Sequence, residues 1–141
     1  MAPKTFKYVI VGAGLTGCHA IEGIRSVDSK GPILLIGDEK HLPYDRPPLT
    51  KKLWFGKKKV EEIFVHNRHF FSENNVDVVL NIKASAVNPA NKSVACTNGD
   101  TYQYQKLLLA TCGYQALSLY TPQIGERRLG GTGLEPVASC V

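Results

Sequence analysis

Gly12-Ala13-Gly14-Leu15-Thr16-Gly17 follows directly on the apolar run Tyr8-Val9-Ile10-Val11. Three glycines at this spacing suit one chemistry, the close approach of a backbone to a pyrophosphate. Gly12 permits a tight turn off a strand, and Gly14 lets the chain come near the phosphates. Gly17 lets the next helix lie close against the sheet. That helix, opening at Leu15 and Thr16, offers free N–H groups and the positive end of its dipole to an anion. A second apolar run, Ile33-Leu34-Leu35-Ile36, is closed by Asp38, 21 residues after Gly17. A carboxylate there accepts hydrogen bonds from a ribose hydroxyl pair. Strand, glycine turn, helix, strand and acid together describe a dinucleotide-binding unit.

The stretch Leu42-Pro43-Tyr44-Asp45-Arg46-Pro47-Pro48-Leu49-Thr50-Lys51 bears on which dinucleotide. Pro47 and Pro48 fix the backbone and open a short helix, which aims Arg46 and Lys51 in set directions. Arg46 suits charge-assisted contact with phosphate. A lysine beside an isoalloxazine ring stabilises the negative charge that develops at N1 and N5 on reduction. A site for NAD alone needs no such segment.

The elements that must hold these residues read as an α/β chain. Apolar residues at Leu15, Cys18, Ala20, Ile21 and Ile24 predict a helix over Leu15–Arg25. A long Pro- and Lys-rich connection runs from Asp38 to Val60, and His66–Asn75 reads as a short helix. Val76–Leu80 and Ala84–Val87 read as short strands. Ser93–Cys96 and Thr101–Tyr104 flank an Asn98-Gly99 hairpin turn. Lys106–Thr111 is a continuous apolar run suited to a parallel strand buried on both faces. The layout is βαβ with a parallel sheet, a small antiparallel insertion, then a return strand.

Composition limits the alternatives. The chain has 141 residues, 43% hydrophobic, enough for one ordinary core. Cys18, Cys96, Cys112 and Cys140 form no CxxC pair, which argues for a reducing, cytoplasmic setting and against a disulfide framework. No run reaches membrane-spanning length, and no membrane partner is expected. The net charge of +5 gathers at Lys51, Lys52, Lys57, Lys58 and Lys59 around Leu53-Trp54-Phe55-Gly56. Such a cluster could dock an acidic partner or nucleic acid. A solvated loop whose apolar residues pack inward is the favoured reading, and nucleic acid is not expected. His66 and His69 lack a third ligand set by sequence, so no metal site is expected. Nothing resembles a hydrolytic triad.

VIVGAGLTG, LLIGDE, PYDRPPLTK and YQKLLLAT, taken together, resemble the FAD-binding start of the pyridine-nucleotide-dependent flavoprotein reductases. The likeness runs from about Lys7 to Thr111. It is nearest to the branch of ferredoxin reductases of the putidaredoxin and rhodocoxin type and apoptosis-inducing factor. It implies an α/β Rossmann-like FAD-binding domain. Gly12, Gly14, Leu15, Thr16 and Gly17 would then meet the pyrophosphate, and Asp38 with Glu39 the adenosine ribose. Arg46 would lie near the phosphates, Lys51 near the flavin ring and Ala84 at the adenine. Ala110-Thr111 would pass under the cofactor. In the family NAD(P)H reduces FAD, and electrons go on to a small acidic iron–sulfur protein or another acceptor.

The departures from the family are equally specific. Ala110-Thr111-Cys112-Gly113-Tyr114-Gln115 stands where the family has Ala-Thr-Gly and then a Pro-Arg pair, so a side chain enters a tight position and the arginine is missing. The second glycine unit for NAD(P)H and the later segment that closes over the flavin are not found. Residues 1–113 are therefore expected to be the N-terminal part of an incomplete FAD-binding domain. Residues 114–141 are expected to form an irregular tail unlike the family. The alternative to a reductase is a non-catalytic cofactor-binding fragment.

Overall fold

The computed structural model describes residues 4–111. Cys112 and the 114–141 tail expectation lie outside the described residues. The order is β1 (Lys4–Val11), α1 (Leu15–Val27), β2 (Ile33–Ile36), α2 (Arg68–Glu73), β3 (Val76–Val79), β4 (Ala84–Asn88), β5 (Ser93–Cys96) and β6 (Thr101–Leu109). A single six-stranded sheet runs β3-β2-β1-β6-β5-β4. Its first four strands are parallel and its last three are joined antiparallel through β6. This mixed sheet with few helices is the Rossmann-like architecture expected, as a partial domain.

Each parallel strand is placed by its apolar run. β2 is buried at all four residues because both of its faces are covered. Ile10, Ile33 and Leu35 pack on one face against Cys18 and Ile21 of α1 and Phe71 of α2. Val9, Val11, Leu34 and Ile36 pack on the other face with Ala84, Val94, Cys96 and Tyr102 of the antiparallel strands. β4 and β2 stand far apart in the strand order yet share this second cluster, so the sheet bends over itself. Cys18 is a buried hydrophobe, as read from sequence, and burial pushes its thiol up to about 11.

Three expectations need correction. Val76–Val79 belongs to the parallel sheet, pairing with β2, and is not part of the antiparallel insertion. Thr101–Tyr104 and the return strand are one continuous strand, β6, so the hairpin extends the sheet instead of standing beside it. Leu108 and Leu109 are 38% and 37% exposed, although their run reads as buried on both faces. β5 pairs with β6 only at Thr101, Tyr102 and Gln103, and no described element covers the outer edge beyond.

The end of the sheet opposite the glycine turn is held by charge. The Asp28 carboxylate meets Lys7 Nζ at 2.7 Å and accepts from Tyr8 Oη and from the Lys30 and Gly31 N–H groups. Arg25 donates to the carbonyls of Asp28, Gly31 and Asn74, tying α1 to the start of β3. The Lys7 bond, then the two backbone donors and Tyr8, hold the Asp28 carboxyl well below the usual carboxylate range. A folded pKa below the unfolded one stabilises at neutral pH, and that stabilisation is lost as pH falls below about 3.9. Asp28→Asn should therefore lower the urea midpoint at pH 6, and the gap from wild type should narrow steadily toward pH 2. A gap independent of pH would show that the carboxylate charge contributes nothing.

Candidate functional site at the glycine turn

β1 ends beside two strands, and the glycine turn sits across their C-terminal ends. The Gly12 N–H donates to the Ile36 carbonyl of β2 at 2.8 Å, and the Ala110 N–H donates to the Val11 carbonyl at 2.8 Å. Gly12 has φ +116°, a backbone that L side chains rarely adopt, and a Cβ there would collide with the Ala110 carbonyl. At Gly17 a Cβ would strike the Gly12 carbonyl, so this glycine sets how closely α1 approaches the strand. Gly14 differs from both. A Cβ there meets nothing within 4 Å, so the turn opens onto free space at this one glycine of the three.

That space faces the start of a helix without a cap. Gly14 is the N-cap of α1, no side chain accepts from the first turn, and no acidic residue stands in it. The first N–H groups of any helix lack intrahelical partners, and they carry the positive end of the dipole. Leu15 and Thr16 are exposed there. At Gly12, the Thr111 N lies 3.0 Å from the Cβ position, and the Thr111 hydroxyl is buried with no hydrogen-bond partner among the described residues. The open helix start presents N–H donors of the kind that suit an anionic group.

Asp38 lies just past β2, exposed, next to Gly37. Gly37, not among the residues expected at the site, has a role here: a Cβ there would lie 2.6 Å from the Ala13 Cβ, so its absence brings the acidic end of β2 against the glycine turn. The only available signal was its place between an apolar run and an acid. Glu39 is engaged by two groups: Tyr44 Oη donates to it at 2.8 Å and Arg46 pairs with it at 2.8 Å. The Glu39 bond, then burial, raises the Tyr44 pKa, which keeps the phenol a donor. The structure thus puts Arg46 at the β2 end, beside Glu39. Ala84 is buried in the second core layer, and the preceding residues are tied to the same end by Asn81 N–H to Glu39 O and Ile82 N–H to Gly37 O.

Lys51 stands apart from this group. It follows the 3-10 turn Pro47–Thr50 and is exposed, and its side chain makes no hydrogen bond or ion pair among the described residues. His66 and His69 do not converge either. His66 reaches Glu22 of α1 at 2.6 Å and stacks on Phe70, whereas His69 pairs with Glu73. A separate open groove of about 750 Å³, lined by Leu42, Phe64, His66 and Phe70 among others, shares no residue with the glycine turn.

Against known proteins, the pyridine nucleotide-disulphide oxidoreductase family is matched over residues 6–140. That span includes 114–140, which the sequence reading set apart. A rubredoxin-NAD(+) reductase of Pseudomonas putida is 37% identical over 103 residues, 73% of this chain and 27% of the relative. Apoptosis-inducing factor 1 of Dictyostelium discoideum is 32% identical over 124 residues, 78% and 23% of the two chains. The covalent complex of putidaredoxin reductase with putidaredoxin superposes with a TM-score of 0.72 at 30% identity, over 75% of this chain and 25% of that one. The chain spans about a quarter of the length of the curated relatives it matches.

The glycines divide by role, and substitution should separate them. Gly12→Ala should cost about 3 kcal/mol or more, from backbone strain and the Ala110 collision together. Gly14→Ala should change stability by less than about 1 kcal/mol. Urea unfolding of the two variants checks this, and equal losses would contradict the division.

Proposed function

We propose, from the premise that this chain belongs to the pyridine nucleotide-disulphide oxidoreductase family, that its glycine turn binds the pyrophosphate of FAD. The observation that carries this reading is the open start of α1 at Gly14, which no side chain caps, next to a turn whose Gly12 lies against Ala110 and Thr111. Gly12, Gly14, Leu15, Thr16 and Gly17 would hold the pyrophosphate and Asp38 the adenosine ribose. Glu39 would act mainly by holding Arg46 and Tyr44 at the β2 end. Ala84, Ala110 and Thr111 would complete the bed, within an N-terminal domain part of residues 1–113. FAD bound there would supply two-electron redox chemistry. Lys51 would favour its reduced form by charge, which requires the 3-10 turn to bring it to the ring.

The wider activity is a ferredoxin-reductase-like electron transfer from NAD(P)H to a small iron–sulfur protein, in a reducing, cytoplasmic setting. Its support is the family and the relatives named for rubredoxin and ferredoxin. A second reading, a cofactor-binding chain without turnover of its own, rests on one observation. The 141 residues hold a single GxGxxG fingerprint, and hydride transfer needs a nicotinamide held in near contact with the flavin.

Titration with FAD and with NAD, followed by calorimetry, tests the cofactor. FAD should bind more tightly than NAD. Asp38→Ala should weaken FAD by about 1–3 kcal/mol, the cost of a lost charge-assisted bond. Gly14→Val should abolish binding while the fold persists. Equal affinity for FAD and NAD would overturn the assignment. Under anaerobic conditions, bleaching of the bound flavin by stoichiometric NADH would favour a working reductase, and flavin left oxidised would favour the second reading.

A further inference from the structure

Residues 46–62 form a lobe closed at its base. The Asp45 N–H donates to the Ile63 carbonyl at 2.7 Å, the Val65 N–H donates to the Pro43 carbonyl at 3.0 Å, and Tyr44 bridges Phe64 in antiparallel sense. Within the lobe the chain is folded on itself. N–H groups of Leu53, Phe55 and Lys57 donate to the carbonyls of Pro48, Lys51 and Lys52 at 2.8, 3.1 and 2.8 Å. Gly56, at φ +66°, lets the turn close. Pro48 is buried and Leu53 half-buried. Trp54 and Phe55 point the other way, 79% and 71% exposed, against the expectation that the apolar residues of this loop pack inward. Inward space is already taken by Pro48 and Leu53, and the hydrogen-bonded turn puts the next two side chains outside.

Charge surrounds these aromatics. Between Arg46 and Glu62 six cationic side chains stand against two carboxylates. No ion pair is made by Lys51, Lys52, Lys57, Lys58 or Lys59 among the described residues. We propose that this lobe docks the protein on an anionic phospholipid surface, with Trp54 and Phe55 seated at the headgroup level and Lys57, Lys58 and Lys59 meeting the lipid phosphates and carboxylates. Tryptophan, with an apolar ring and a polar N–H, suits the bilayer interface, and the phenylalanine beside it adds apolar area for the boundary of headgroups and acyl chains. The cations of the tip are all lysine. Point charges on flexible stems suit a fluid headgroup layer, whereas fixed recognition of a carboxylate or phosphate partner favours the arginine fork. Lysine is also depleted where two proteins meet. No helix among the described residues is long and apolar enough to cross a membrane, and docking by a lobe needs none.

Trp54 is the sole tryptophan of the chain, so its fluorescence reads this surface directly. The chain is titrated with vesicles of phosphatidylcholine containing about one-third phosphatidylserine, and with vesicles of phosphatidylcholine alone, with cosedimentation in parallel. The anionic vesicles should shift Trp54 emission to the blue and carry the protein down, and about 0.5 M salt should reverse both. K57E/K58E/K59E should weaken partition by about 100-fold or more, since each lysine near such a surface contributes several-fold. W54A/F55A should weaken sedimentation by about tenfold. All five positions are exposed or half-exposed, and circular dichroism confirms that the variants fold. The proposal is overturned by no response to either vesicle, by equal binding to neutral vesicles, or by a Trp54 shift given by polyglutamate or single-stranded nucleic acid but not by vesicles.

Discussion

Gly12 is pressed between two backbones, and the arrangement of the upper rim follows from that contact. On one side lies the Ala110 carbonyl at the end of β6, and on the other the Gly12 carbonyl sits where a Gly17 side chain would have to go. With no Cβ at either position, β1, β6 and α1 converge within a few ångströms. Gly37 repeats the device on the third side, where a Cβ would run into Ala13. Three missing side chains thus bring the ends of β1, β2 and β6 and the start of α1 to one place. Only at Gly14 does the same turn open outward, and so only there does the convergence leave room for a ligand.

Much of this was readable from the sequence because it depends on local rules. The apolar run Ile33–Ile36 predicted a strand, and β2 forms there, buried throughout. The Asn98-Gly99 pair predicted its turn, and Gly99 has φ +87°. Contacts distant in sequence were less readable. Val76–Val79 alone is equally a meander strand or a parallel one; what decides is α2, whose Phe71 fills the space against β2 and β1 and carries the chain across. β6 reads as two strands because its first half alternates, with Tyr102 buried and Gln103 exposed, whereas it ends in the apolar run Leu107–Leu109. That change of pattern marks where the antiparallel neighbour ends.

The site was legible to a similar depth. The glycines meet Ala110 and Thr111, which only the family resemblance had placed near them, and Gly37 brings the end of β2 that carries Asp38 against the same turn. The pairing of Glu39 with Tyr44 and Arg46 was invisible, because it depends on the path of a proline-rich connection that no periodicity describes. The same connection carries Trp54 and Phe55 outward. Sequence rules that send aromatics inward assume free space beneath them, and here Pro48 already fills it. The expectation of no membrane partner rested on the lack of a spanning segment, which does not bear on a basic, aromatic lobe.

The central claim is that the open side of the glycine turn is the nucleotide site. Amide chemical shifts of the isotope-labelled chain, followed during titration with FAD, test it most directly. The largest changes should fall on the N–H groups of Gly14, Leu15, Thr16 and Gly17, with Asp38 following, and should saturate at one FAD per chain. Changes concentrated instead along the groove of Leu42, Phe64, His66 and Phe70, or no saturable change at the glycine turn, would contradict it.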